Sequence, residues 1–367
     1  MAKLKKISKS TRSATLSYTL VVAFYIIVRL MGSDLFKTGG MLTSSLKGQL
    51  VPICAYVVMA ISLNLTVGVL GELSLGHAGF MSVGAFSGVV AATSLEGSIS
   101  SAPLRLAAAI LVGALCAGLA GVLIGIPVLR LNGDYLAIVT LAFGEIILNI
   151  VNSLYVGLDD RGLHINLLGG AEALGLEHGG RMIINGPVGA SGITKISSFT
   201  AGFVLLLITL FIVLNLVNSR TGRAILAVRD NRIAAESVGI GVTRYKMIAF
   251  ATSAALAGAA GALFAMNFST IVPVKFNFNT SILVLVFVVL GGLGNIWGSI
   301  IAAAALTVLP ELLRQFKDTR MLIYAIVLIL VMLLTNSPFF RDQWARFRSY
   351  FRKNGKPSDV KGGPAHE

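Results

Sequence analysis

Charge and reactive side chains are scarce in this chain. Only 13% of its 367 residues are charged, and it holds four histidines, two cysteines and two tryptophans. Cys54 and Cys116 each lie inside an apolar run, which argues against a disulfide framework and for two small buried hydrophobes. His77, His164, His178 and His366 are scattered without metal-ligand spacing, and no G-x-S-x-G elbow occurs, so neither a metal centre nor a hydrolase triad is expected. A phosphate-binding P-loop is missing as well: the one Gly-Lys pair, Gly355-Lys356, runs into Pro357. The dinucleotide fingerprint fails too, because Gly292 and Gly294 are followed by Trp297 where a third glycine would stand. Acidic residues are half as common as basic ones, 16 against 30, for a net charge of +14. On a soluble domain that excess would suggest nucleic acid, but here the basic residues gather at the termini and in one loop. That distribution sets membrane orientation and points to lipid rather than nucleic acid as the surrounding partner.

What is abundant is apolar sequence. Hydrophobic residues make up 55% of the chain and the mean hydropathy is +0.84. A helix of about 20 apolar residues crosses the hydrocarbon core of a bilayer, and such runs recur at roughly 15–31, 50–70, 79–95, 104–129, 135–155, 198–218, 247–267, 281–311 and 321–336. The first run follows five basic residues in positions 1–14. It is too long for a signal-peptide core and lacks a small-residue cleavage site, so it is read as a retained span.

Orientation follows from charge. The 1–14 segment has five basic and no acidic residues, Ser219–Lys246 has six and two, and the tail from Asn336 has seven and three, whereas Val156–Ile196 has three and four. Both termini and the 219–246 loop are therefore expected in the cytoplasm and the 156–196 loop outside. For the basic tail to emerge inside, 281–311 must turn back on itself near Gly291–Gly298. The expectation is an all-α polytopic membrane protein with about ten crossings and glycine-broken helices. A basic N-terminus (1–14) and a basic tail (337–367) flank the transmembrane domain (15–336).

Small residues recur four apart on two spans, at Ala117, Gly121 and Gly125 and at Ala254, Gly258 and Ala262. Residues so spaced share a helix face and let backbones approach, which implies tight packing and nothing about substrate. The broken spans say more. "VLGELSLGHAGFMSVGA" (69–85) and "VLGGLGNIWGSIIAAA" (289–304) both interrupt apolar sequence with glycines after Val-Leu-Gly. Paired interruptions of this kind point to a substrate pathway, because unwound backbone exposes polar groups to a solute. The pathway candidates are Glu72, Ser74, His77, Glu145, Gly292, Gly294 and Asn295. His77 fits a hydrogen-bonded helix end as well as a pathway group. Glu145, the deepest carboxylate, fits the route or a pairing with a neighbouring helix.

The loop "SRTGRAILAVRDNRIAAESVGIGVTRYKMIAF" (219–250) reads as a short basic helix ended by Gly239, followed by re-entry into the membrane. It resembles the coupling element of ABC importers, in which an Ala-Ala pair precedes a glycine and then a hydrophobic return: here Ala234, Ala235, Gly239 and Ile248. Ile233 stands where that element often has a glutamate. "LNLTVGVLGELSLGHAGFMSVGAF" (63–86), "RLNGDYLAIVTLAFGEI" (130–146), "SRTGRAILAVRDN" (219–231) and "IAFATSAALAGAAGALFA" are similar to the branched-chain amino-acid permeases, in particular the M-type member of an H-type/M-type pair. The resemblance covers most of residues 50–300.

That resemblance implies half of a translocation pathway in a bacterial cytoplasmic membrane. The implied partners are an H-type permease, two cytoplasmic ATPases that bind the ATP, and an extracytoplasmic substrate-binding protein. The chain itself would need no cofactor and would not be an enzyme. Arg229, Asp230, Ala234, Ala235, Glu236 and Gly239 would meet the ATPase. The 156–196 loop departs from the family in being longer and richer in glycine. A urea or short-amide permease of the same family, and an ion-coupled secondary transporter or channel, remain as alternatives on the sequence.

Overall fold

The apolar runs fold as helices wherever the chain is described. The computed structural model describes residues 21, 25, 44–131, 133–159, 162–167, 169–170, 174–175, 180–313 and 319–336. The expectations for 1–14, for most of the first span and for 337–367 fall outside them. Of the first span, Val21 is buried and Tyr25 stacks its ring on Phe199 and Phe203, with centroids 5.5 and 4.2 Å away.

The chain forms two units, 1–311 and 312–367. In the second, the described helix is α11 (Arg320–Asn336). The first contains α1 (Ser44–Asn64), prolonged by a π-helical turn over Leu65–Leu70, then α2 (His77–Ser94), α3 (Ala102–Val128) and α4 (Asp134–Asn152). After a stretch of strands come α5 (Phe199–Asn218), α6 (Arg220–Asp230), α7 (Arg232–Ser237), α8 (Val242–Ala265), α9 (Phe278–Gly291) and α10 (Ile296–Leu312). Six of the described helical stretches are long and apolar enough to cross a membrane, and Ile296–Leu312 is a shorter apolar helix. The break foreseen within 281–311 falls at residues 292–295, where Gly292 and Gly294 take φ of +92° and +78° that favour glycine. Both cysteines are free, and Cys54 is buried against Gly202.

The tightest packing joins α2, α3 and α8. The two small-residue stripes face each other: a methyl group on Gly258 would come within 2.3 Å of Ala117 Cβ and 2.5 Å of the Gly113 carbonyl, and one on Gly121 within 2.5 Å of Ala254 Cβ. A third helix shares the seam. Gly84 of α2 lies so close to Gly258 that a methyl there would meet its Cα at 2.2 Å, and Gly261 sits equally tight on the Met81 carbonyl. Only hydrogen side chains allow three backbones this near one another.

The 156–196 loop is not plain coil. It carries β1 (Tyr155–Asp159), β2 (Gly162–Asn166), β3 (Arg181–Asn185) and β4 (Gly189–Ser191), joined by β5 (Thr270–Ile271) in an antiparallel sheet of order β2-β1-β3-β4-β5. An all-helical reading passed over this sheet. Its signal was present in "YVGLDDRGLHIN", two short segments around an Asp-Asp-Arg-Gly turn. Glu96, just past α2, pairs at 3.2 Å with both Arg105 of α3 and Arg181 of β3, tying the sheet to the helix ends.

Candidate functional site

The stretch after α1 is where the described elements converge. At Asn64 the α-helix widens into a π-turn, whose end is closed by Gly71 at φ +82° and by the Glu72 amide, which donates to the Thr66 carbonyl at 3.1 Å. A single π-turn inside a helix is rare and concentrates at functional positions. Residues 71–76 are non-helical, and α2 starts at His77. His77 Nε2 lies 2.8 Å from Ser62 Oγ, and Ser62 precedes Gly68 by about 9 Å of helix rise, so the turn climbs back beside α1 before α2 begins.

Several polar groups in and beside this turn are held by different helices. The Leu75 amide donates to Thr140 Oγ1 of α4 at 3.1 Å, and the Ala78 amide to Ser281 Oγ of α9 at 3.0 Å. Glu72 forms an ion pair with Lys246, one turn into α8 and only 4% exposed. Arg229 of α6 donates through Nη1 to the Gly68 carbonyl at 3.2 Å while its Nη2 pairs with Asp230 at 2.9 Å. Its Cγ lies so close to Gly71 that a methyl there would approach to 2.6 Å. Non-helical backbone buried inside a protein needs partners of this kind.

The two glycine breaks touch. Asn64, wholly buried, accepts the Gly294 amide on Oδ1 at 2.8 Å and donates through Nδ2 to Ser299 Oγ at 2.9 Å. A methyl on Gly68 would come within 2.2 Å of the Gly294 nitrogen. Of the seven pathway candidates, Glu72, Gly292, Gly294 and Asn295 therefore come to one joint, with Arg229 from the coupling set. Ser74 is buried, and its hydroxyl makes no hydrogen bond among the described residues. His77 is buried against Ser62. Glu145 stands apart on α4, half-buried, with no hydrogen bond or ion pair among the described residues.

The expected single coupling helix is two, α6 and α7, divided at Asn231. Asn231 caps α7 by accepting the Ala234 amide at 3.0 Å. Gly239 ends α7 at φ +83°. The Ile240 amide returns to the Ala235 carbonyl and the Gly239 amide to the Glu236 carbonyl, each at 3.0 Å, a Schellman arrangement. Ala235 is buried with Val228, Val242 and Ile240, while Ile233 and Val238 are 77% and 75% exposed. Ala234 and Glu236 lie on the exposed side, where Glu236 meets Arg232 at 3.1 Å.

Residues 46–334 match the family model described as the branched-chain amino acid transport system / permease component. The chain belongs to this permease family. It is 35% identical over 298 residues to the high-affinity branched-chain amino acid transport system permease protein LivM of Salmonella typhimurium, and 35% identical over 288 residues to LivM of Escherichia coli. Each match covers 76% of this chain, and the chain spans 66% of the length of either relative. A weaker likeness, 28% identity over 146 residues, relates 37% of this permease to 43% of the fructose import permease protein FruG of Bifidobacterium longum. No solved structure matches the chain.

Sequence reasoning missed the residues that build the joint in this permease: Asn64, Gly68, Thr140, Lys246, Ser281 and Ser299. A lysine one turn into an apolar helix and an asparagine in "ISLNLTVGVL" were visible signals, since polar groups inside membrane segments are costly unless partnered.

Proposed function

We propose that this permease is one membrane half of an ATP-driven importer for branched-chain or related amino acids in a bacterial cytoplasmic membrane. It pairs with an H-type permease, stands on two ATPase subunits that bind the ATP, and receives substrate from an extracytoplasmic binding protein. Ten crossings place both termini and the α6–α7 elbow in the cytoplasm and the sheet outside. The observation that carries this reading is the bond from Arg229 of that elbow to Gly68 in the turn between α1 and α2. A surface docked against the elbow thereby has a direct hold on membrane helices. Ile233 and Val238 present the apolar knobs that an ATPase cleft would take, with Ala234, Glu236 and Gly239 around them.

Glu145 belongs to the route. A carboxylate without a partner among the described residues is tolerated within a membrane against water or another subunit. A cysteine at Glu145 in the assembled transporter reacts with a water-soluble thiol reagent on this reading. Inertness in every transport state removes it from the route.

The function itself is tested by uptake of labelled leucine, isoleucine and valine into vesicles bearing the assembled transporter. Vanadate should abolish uptake. Accumulation by the purified chain alone, driven by a sodium or proton gradient, would overturn the proposal, and uptake of urea in place of the amino acids would correct the substrate.

A further inference from the structure

The joint contains a hydrogen-bond chain that the coupling reading does not require. Asn64 Nδ2 donates to Ser299 Oγ, which donates in turn to the Asn295 carbonyl at 3.2 Å, while Asn64 Oδ1 takes the Gly294 amide. Using the Ser299 proton on Asn295 leaves that oxygen free to accept, so the carboxamide has one consistent orientation. Gly294 in the second turn and Ser299 in the first turn of α10 are thus pinned to one side chain of α1. Arg229 holds the same helix four residues on, at Gly68, and Gly68 touches the Gly294 backbone directly.

We propose that Asn64 is a positioning residue that locks the two glycine turns into one body, so that a displacement entering through Arg229 reaches α9 and α10 as well as α1 and α2. For its place in transport this rests on the importer reading; the mechanical link does not. Both hydrogen bonds described between residues 64–72 and residues 291–299 come from Asn64, so without it the second turn keeps only the contact of Gly294 with Gly68, and α9 its bond from Ala78 to Ser281. The carboxamide suits this role because its acceptor reaches the second turn at Gly294 while its donor reaches α10 at Ser299. Full burial leaves water no way to replace either.

The test is a double-mutant cycle read by amide hydrogen exchange over residues 286–298, with the full chain in lipid nanodiscs. In the wild-type background, R229A should speed exchange there by about 3- to 10-fold, the worth of one hydrogen bond. In an N64L background the same substitution should add much less, since only the Gly68–Gly294 contact then joins the turns. If R229A leaves the second turn unchanged, or speeds it equally with Leu at position 64, the lock is refuted. If N64L fails to insert, S299A removes one arm alone; the R229A effect should shrink there, and an undiminished effect refutes the lock equally. Uptake is measured in parallel on the assembled transporter. Normal uptake by R229A with the exchange cycle as expected would sink the lever and leave the lock standing.

Discussion

The seam of α2, α3 and α8 and the joint around Asn64 hold helices together by opposite means. In the seam, Gly84, Gly113 and Gly258 bring backbones into contact with nothing between them, and the attraction is dispersion summed over many close atoms. In the joint, a few directional bonds from Asn64, Arg229 and Lys246 cross between elements. Close packing has one good arrangement and resists displacement. The difference separates a packed frame from a hydrogen-bonded joint: α2 belongs to both, packed against α3 and α8 along its length and tied to the joint at its first residues.

The largest effect should come from breaking the frame. Gly258→Leu drives a side chain into Ala117 and the Gly113 carbonyl, an overpacking cost at or above the top of the roughly 1–3 kcal/mol range, and no folded chain should be recovered in detergent by size-exclusion chromatography. The same substitution at Gly97, where a methyl would meet nothing within 4 Å, should leave the yield unchanged.

Next in size is the ion pair at the joint. Glu72→Ala leaves the Lys246 ammonium, 4% exposed, without its partner, which for a buried pair costs about 3 kcal/mol. Thermal unfolding should show the loss, and adding Lys246→Met should restore most of it. If the double variant is no more stable than Glu72→Ala, the pair is not what holds α8 to the turn.

Gly239→Pro probes the elbow without touching the frame. Proline cannot take φ of +83° and removes the amide that donates to Glu236, so α7 loses its Schellman ending. Membrane insertion should be normal and uptake lost. Normal uptake would count against the elbow as lever. The smallest effect belongs to Glu236→Gln: its bond to Arg232 joins two half-exposed groups four residues apart, worth about 0.3–0.5 kcal/mol, and unfolding should hardly move.

Much of the frame was legible beforehand. Apolar runs about one bilayer long give helices whatever their neighbours, and Ala117, Gly121, Ala254 and Gly258 announce close packing by spacing alone. The sheet was not read, because five short strands between long apolar runs give a weak local pattern, and β5 lies some eighty residues beyond β4 in the chain. In the joint, Glu72, Gly292 and Gly294 drew notice by chemistry and Arg229 by resemblance to a coupling element, yet their partners did not. Ser281 and Thr140 are ordinary hydroxyl residues in helices until their oxygens prove to hold the amides of a distant turn.

By itself the sequence determined that this chain is a bundle of membrane helices, where two of them break, and that a short basic helical segment ends at Gly239. Those properties depend on burial and backbone preference over neighbouring residues. Only the tertiary structure decided that the two breaks touch, that Asn64 bridges them and that Arg229 reaches the first. Hydrogen bonds act over about 3 Å in space, and nothing local in a chain says which residue some 230 positions away will supply the other half.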